Sequence, residues 1–327
     1  MKNMRKKSYY NEILDQYLLG EDSFKDSRKS LEYSDGDPYY SMGDSYTSIV
    51  TLLSWGQQPS ESMLNEAKFL SIDPPEEFLQ INQLPEFITD FHQLMALSMP
   101  FIYALSLHND SLPHSVENLT LINDREQTDN LGSSKKEIKA NLLFPDFCYP
   151  SINSLHLVTP STASLNIDGY ININESHFPN LEFLRCNLSG KDKYPLLDNF
   201  TNLKHLWVSL NQYDLFSHIK CPLQSLNIDG GGTGLNIQEI QKIPSLEVLH
   251  INSCYNIINC EDLLKMPQLK EVNILNSKHI KNIEALLDMP SLTSLDILSC
   301  KGAFTKEQKR LFHDNMEKFE LLSIDYA

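Results

Sequence analysis

Histidine, cysteine and serine, which often carry catalysis, are all present in this chain, but none has the spacing of a catalytic or metal-binding motif. The ten histidines are scattered and include no H-E-x-x-H pair, so nothing in their spacing indicates a zinc site. There is no G-x-S-x-G sequence, which would place a serine nucleophile on a strand-to-helix turn. The sequence therefore predicts a protein that is not an enzyme and that binds no metal or cofactor.

A glycine-rich run from Asp229 to Gly234, D-G-G-G-T-G, has the composition of a phosphate-binding loop. It is not followed by the Lys-Ser/Thr pair of a P-loop. Leu235 stands where the G-x-G-x-x-G pattern needs its last glycine. We therefore interpret the run as a flexible turn between a strand and the segment that follows it.

The six cysteines show neither a C-x-x-C pair nor a dense disulfide framework. We expect them to be structural, because a buried free cysteine behaves as a small apolar residue. The first residues are basic, but no apolar run follows them, so they do not have the pattern of a secretory signal. No segment approaches the ~18 consecutive apolar residues of a membrane span. A reduced cytoplasmic location is the expectation.

The charge balance limits the classes of partner. Asp and Glu number 43 against 27 Lys and Arg, which gives a formal charge of -16. Nucleic acids and anionic membranes attract clustered positive charge, so we expect neither as a partner. The balance suits a basic protein partner. Acidity that serves solubility alone explains the same composition equally well.

Three consecutive segments superimpose without a gap and repeat every 23 residues, beginning at Asn236, Asn259 and Asn282. Each has a short helical pattern, an Ile-Pro or Met-Pro step, and then L-x-x-L-x-I-x-x-C/S. Alternate positions of the apolar part point to one side, as a strand requires. A fixed period in this range with this apolar spacing is typical of leucine-rich repeats, whose units stack to bury a shared core.

On these M-P-x-L-x-x-L-x-I units, the chain resembles bacterial-type leucine-rich-repeat proteins. The resemblance implies an α/β solenoid with a curved parallel sheet on its concave face and short helices on its convex face. It also implies protein binding through the concave face, which is a function of the surface rather than of the fold alone.

Weaker copies of the repeat predict the domain organisation. Aligning Met99-Pro100 with Met289-Pro290 places a strand at Leu105 and Leu107 and starts the repeats near Pro85. The solenoid then covers residues 85–327, with a C-terminal cap over about 304–327 that begins at a capping box formed by Thr305 and Gln308. Residues 1–84 are predicted to form a mainly helical N-terminal cap that contains a flexible polar segment at about 21–47.

The outward positions of the predicted strands form the candidate partner-binding surface. Trp207 and Arg185 belong to the residue types enriched at interface hot spots. A solvated sheet face needs polar residues in any case, which accounts for most of the other positions but poorly for Trp207. The candidate residues are His156, Arg185, Trp207, Asn227, Asp229, His250, Asn252, Asn273 and Asp296.

The leading hypothesis is a non-enzymatic protein–protein interaction module that uses the concave face of the sheet. A narrower version is an inhibitor or immunity-type protein that neutralises a basic partner. The alternative is an enzyme or effector with its active site in residues 1–95 and the repeats as a substrate-recognition scaffold. The sequence indicates no oligomeric state.

Overall fold

The computed structural model describes residues 8–17, 51–53, 58–72, 84–122, 144–158, 173–188, 195–210, 215–230 and 237–324. The chain divides into two compact units. The N-terminal unit is Leu14–Phe183, and the C-terminal unit comprises Met1–Ile13 and Leu184–Ala327. The predicted flexible segment at about 21–47 lies outside the described residues.

The described elements are short, as a repeat of about two dozen residues requires. The α-helices are α1 Tyr9–Tyr17, α2 Glu61–Glu66, α3 Pro195–Asp198 and α4 Lys306–Asp314. The strands are β1 Thr51–Leu53, β2 Phe69–Ile72, β3 Ala96–Pro100, β4 Asn118–Ile122, β5 Ser154–Val158, β6 Phe183–Leu188, β7 His205–Leu210, β8 Ser225–Asp229, β9 Val248–Asn252, β10 Ile257–Asn259, β11 Glu271–Leu275, β12 His279–Lys281, β13 Ser294–Leu298 and β14 Leu321–Ile324. The 3-10 helices are Glu86–Asp90, Phe101–Ser106, Leu215–His218, Ile237–Lys242, Cys260–Lys265, Ile283–Asp288 and Met316–Lys318.

In the N-terminal unit, β1 to β5 form a parallel sheet in chain order. β1 and β2 precede residue 85, so the parallel ladder extends into the region that the sequence assigned to a mainly helical cap. β2 alternates half-buried and buried residues, which is the period of a strand with one face on a core. The division of the chain into cap and solenoid stays a prediction.

The predicted strand at Leu105 and Leu107 is wrong. The strand is β3, Ala96–Pro100, and the following Phe101–Ser106 is a 3-10 helix. Leu94, Leu97 and Met99 are all buried, so the repeat pattern here is L-x-x-L-x-M, and Met99 is its last inward residue. In the later repeats the Met-Pro step precedes the strand, as Met289-Pro290 precedes β13, whereas here Met99 and Pro100 are the last two residues of β3.

In the C-terminal unit, β6, β7, β8, β9, β11, β13 and β14 are neighbours in that order, and every pairing from β7 to β14 is parallel. Leu249, Val272 and Leu295 are fully buried inward residues at successive 23-residue positions. The 3-10 helices cover this core with buried apolar residues such as Leu263 and Leu286. The unit is an α/β leucine-rich-repeat solenoid, which confirms the predicted fold class.

The turn after each strand has the same backbone conformation in successive repeats. Gly230, Ser253, Asn276 and Ser299 lie 23 residues apart, and all have positive φ, between 50° and 68°. The amides of Gly230, Ser253 and Asn276 each donate to a carbonyl of the next repeat. Glycine adopts this left-handed conformation at the lowest cost, so the turn itself accounts for Gly230, the first glycine of the run.

The last position of the repeat unit forms a buried ladder of hydroxyl and thiol groups. The Cys254 amide donates to Ser277 Oγ at 3.2 Å, and the Ser277 amide contacts Cys300 Sγ at 3.4 Å. The Cys300 thiol in turn donates to the Ile274 carbonyl at 3.3 Å. These side chains satisfy backbone groups at the turns, so the repeat needs small polar residues there.

The C-terminal end of the solenoid begins with the predicted capping box. The Thr305 side chain accepts from the Gln308 amide, and the Gln308 side chain accepts from the Thr305 amide. Phe312 of α4 is fully buried and packs edge-on against Phe304 at a ring distance of 5.5 Å. β14 then adds the last parallel strand beside β13.

Candidate partner-binding surface

The strands of the C-terminal unit place five of the predicted binding residues in one straight row. Trp207, Asn227, His250, Asn273 and Asp296 are register partners on successive strands. They alternate with the buried leucine, isoleucine and valine positions, so they lie on the opposite side of the sheet from the 3-10 helices. We call this side of the C-terminal unit, together with Arg185 of β6, the open face.

Arg185 and Trp207 stack on each other at one end of the row. The Arg185 guanidinium lies 4.1 Å from the centre of the Trp207 ring, and both residues are half-buried. Tryptophan is the best ring partner for a cation, and a cation–π pair contributes about 0.5–1 kcal/mol at an exposed site. The stack holds a large flat aromatic surface in a defined orientation while leaving part of it in contact with solvent.

Asp229 and Asn252 belong to a second row, at the ends of the strands, and hydrogen bond to each other. Asn252 Nδ2 donates to Asp229 Oδ1 at 2.9 Å, and Asn276 Nδ2 donates to Asn252 Oδ1 at 2.8 Å. Both predicted residues are half-buried. This ladder ties three successive repeats together along the edge of the open face, and the same groups stay within reach of a partner.

A buried carboxylate lies beside the row. Glu271 precedes Asn273 by two residues on β11 and therefore points to the same side of the sheet. Its side chain is fully buried, and Glu271 Oε1 accepts a hydrogen bond from Asn273 Nδ2 at 2.7 Å. Burying a carboxylate is costly unless its oxygens accept hydrogen bonds, so its position on an otherwise outward row requires partners above the sheet.

Tyr10 of α1 provides that cover. Asn227 Nδ2 donates to Tyr10 Oη at 2.5 Å, and the Tyr10 ring stacks on His250 with centres 4.5 Å apart and planes 17° apart. The Tyr10 amide donates to Glu271 Oε2 at 3.4 Å. One tyrosine thus contacts three neighbouring strands of the same unit.

Sequence reasoning missed both Tyr10 and Glu271. It described the first residues only as part of a cap, and the repeat alignment gave no reason to single out a contact with α1. One signal was present: Glu271 occupies a position where the neighbouring repeats have Ser225, Val248 and Ser294. A charged residue in a row of small or apolar residues indicates a specific partner.

His250 is the best-buried titratable group of the row, with 9% of its surface exposed. Burial lowers its pKa from the ordinary 6.5 to about 4, because removing the ring from water disfavours the imidazolium form. The ring is therefore neutral at pH 7. His250 Nδ1 and Asn227 Oδ1 are buried, and neither has a hydrogen-bond partner among the described residues.

Two predicted residues remain, Asp296 and His156. Asp296 is half-buried on β13 at the far end of the row. His156 belongs to β5 of the N-terminal unit, where it is buried, lies 2.9 Å from Ser154 Oγ through Nε2 and stacks on Phe183 at 5.3 Å. The open face thus brings together eight of the nine predicted residues and leaves out His156.

The described parts of the chain contain no cluster of three or more histidine, cysteine or acidic residues that could hold a metal ion. Within the same residues, no helix has the length and apolarity to cross a bilayer.

The sequence matches no protein-family model, and no curated protein is significantly similar to it. Among solved structures, the chain is similar to the leucine-rich repeat-containing protein LegL7 from Legionella pneumophila. That match has 14% sequence identity and a TM-score of 0.40, and it covers 75% of this chain and 81% of that chain.

Proposed function

We propose that this chain is a non-enzymatic protein-binding scaffold and that its partner contacts the open face around Trp207 and Arg185. The observation that carries the proposal is the half-buried Arg185–Trp207 stack at the end of an aligned polar row. Tryptophan and arginine dominate the binding energy of many interfaces. A row fixed on a parallel sheet loses little conformational freedom when a partner binds, which favours affinity.

The proposed partner is a basic protein, and the chain acts as an inhibitor or immunity-type protein that neutralises it in the cytoplasm. The formal charge of -16 supports this narrower proposal, because opposite net charges steer two proteins together and raise the association rate. Screening by salt shortens the range of that attraction. The association rate should therefore fall as the salt concentration rises.

The test uses the purified full chain as bait in lysate of its own source, followed by purification of the retained protein. Arg185→Glu with Trp207→Ala should weaken the affinity for that protein by at least about a hundredfold, since each hot-spot residue contributes roughly 2 kcal/mol or more. The matched control is Lys242→Glu with Leu264→Ala, which changes two exposed residues on the 3-10 helices. Unchanged binding by the open-face double variant refutes the proposed surface.

A further inference from the structure

Tyr10 reaches the open face from outside the repeats and occupies it as a ligand would. Its hydroxyl, its ring and its backbone amide each meet a different residue: Asn227, His250 and Glu271. We call these three residues the tyrosine site. A hydrogen bond at the tip of the ring, a stacked face and an acceptor for the amide together recognise tyrosine, because phenylalanine lacks the hydroxyl and leucine lacks the ring.

The fit of Tyr10 to this site is incomplete. Asn227 Oδ1 and His250 Nδ1 are buried, and no hydrogen bond from another described residue reaches them. Leaving a buried polar atom without a partner is unfavourable, so a ligand that supplies a donor to Asn227 Oδ1 gains affinity over Tyr10.

The sequence around Tyr10 indicates the charge of the ligand that the site accepts. Four of the first seven residues are Lys or Arg, namely Lys2, Arg5, Lys6 and Lys7, whereas the whole chain carries a formal charge of -16. Glu12 and Asp15 of α1 offset two of these charges, so residues 1–17 as a whole have a formal charge of about +2 on an acidic protein. A partner that replaces this segment needs the same two properties, a tyrosine and a positive charge, which agrees with a basic partner on the open face.

We propose that the tyrosine site binds a tyrosine carried on a basic segment of the partner, and that Tyr10 occupies the site in the free protein and competes with that partner. This inference rests on the proposed function, because the partner must meet the open face. It specifies which chemistry the partner presents there. It also gives the N-terminal segment a role as an internal competitor that limits binding to ligands that fit better.

The first experiment measures the binding of a fluorescent peptide with the sequence of residues 1–17 to the full chain in trans. The peptide should bind the Tyr10→Ala protein at least about tenfold more tightly than the wild type, because only the wild type has the site filled. Tyr9→Ala is the matched control: Tyr9 is exposed, and its ring centre lies 6.0 Å from the Lys270 ammonium. This control should bind the peptide with the affinity of the wild type.

Two further variants test the chemistry of recognition. The same peptide with alanine in place of Tyr10 should lose binding to the Tyr10→Ala protein, and so should the normal peptide when Asn227→Leu is added to that protein. Circular dichroism establishes that each variant is folded. Equal affinity of the peptide for the wild type and the Tyr10→Ala protein, or no binding to either, overturns the inference. Light scattering that shows a dimer lost in Tyr10→Ala also overturns it, since the occupant is then a second copy.

The affinity of the captured partner for variants of the chain distinguishes this inference from the proposed function. Tyr10→Ala should increase the affinity for that partner about tenfold, and the peptide should displace the partner. If capture depends on Arg185 and Trp207 but neither effect is seen, the inference fails and the binding surface stands. If capture is indifferent to Arg185 and Trp207, the binding surface fails, and the peptide titration still decides whether the tyrosine site exists.

Discussion

Acidification should destabilise the C-terminal unit through His250. The folded protein holds the pKa of His250 at about 4, against 6.5 for the ordinary side chain, because the ring is buried. The unfolded chain therefore takes up a proton on this residue at a higher pH than the folded one. Above pH 6.5 His250 is uncharged in both states and does not make the free energy of unfolding depend on pH. As the pH falls from 6.5 towards 4, the free energy of unfolding decreases progressively.

The size of the effect follows from the two pKa values. The full shift corresponds to roughly 3 kcal/mol, and about 2 kcal/mol of it falls between pH 7.5 and pH 5. Only 9% of the His250 surface is exposed, so solvent screens little of this energy.

The assay is urea denaturation at pH 7.5 and pH 5, followed by the fluorescence of Trp207. The other tryptophan, Trp55, is replaced by phenylalanine so that the signal reports only on the C-terminal unit. His250→Gln, which cannot take up a proton, should reduce the loss of stability between the two pH values by about 2 kcal/mol. His279→Gln removes an exposed histidine of β12 and should behave as the wild type. If the His250→Gln protein loses as much stability as the wild type, the burial argument is refuted.

Two further predictions concern the turns and the thiols. Ser277→Ala removes the oxygen that accepts from the buried Cys254 amide, so it should lower the free energy of unfolding by about 1–3 kcal/mol in urea denaturation. The control Ser299→Ala, at an exposed turn position, should change the free energy of unfolding by less than about 0.5 kcal/mol. Equal losses in the two variants would contradict the buried ladder. Cys148 is exposed and the other five cysteines are buried. A thiol reagent should therefore label one cysteine per native chain and all six after denaturation. Rapid labelling of more than one native thiol would contradict the assigned burial.

The row of the open face could be predicted because the repeats have equal length. When each unit contains 23 residues, outward positions in successive strands must fall side by side, and Asn227, His250, Asn273 and Asp296 do so. The same regularity identifies the turn positions and the small polar residues behind them. A strict 23-residue period is therefore enough to predict the fold class and the alignment of the residues on the candidate surface.

The first repeats could not be aligned in this way because their lengths vary and a local motif can match in the wrong frame. At Met99-Pro100 the M-P-x-L pattern recurs, yet Met99 is a buried residue of β3. Pairing with the neighbouring strands decides which residues become a strand there. Tertiary context thus overrode the local sequence match.

The contact of Tyr10 with the open face could not be predicted from the sequence, for a different reason. Tyr10 and Asn227 are 217 positions apart in the chain, and α1 does not belong to the repeat pattern. Periodicity predicts contacts between repeats but carries no information about a helix from outside them. The sequence gives one local indication that something covers the sheet there, which is the charge of Glu271 at a position where neighbouring repeats have serine or valine.

The most direct test of the proposed binding surface is site-specific photo-crosslinking of the complex with the captured partner. A photoreactive aromatic amino acid replaces Trp207 in one protein and the exposed Leu264 of a 3-10 helix in another. The proposed surface predicts that the partner crosslinks from position 207 and not from position 264. A partner that stays bound and crosslinks from position 264 but not from position 207 contradicts it.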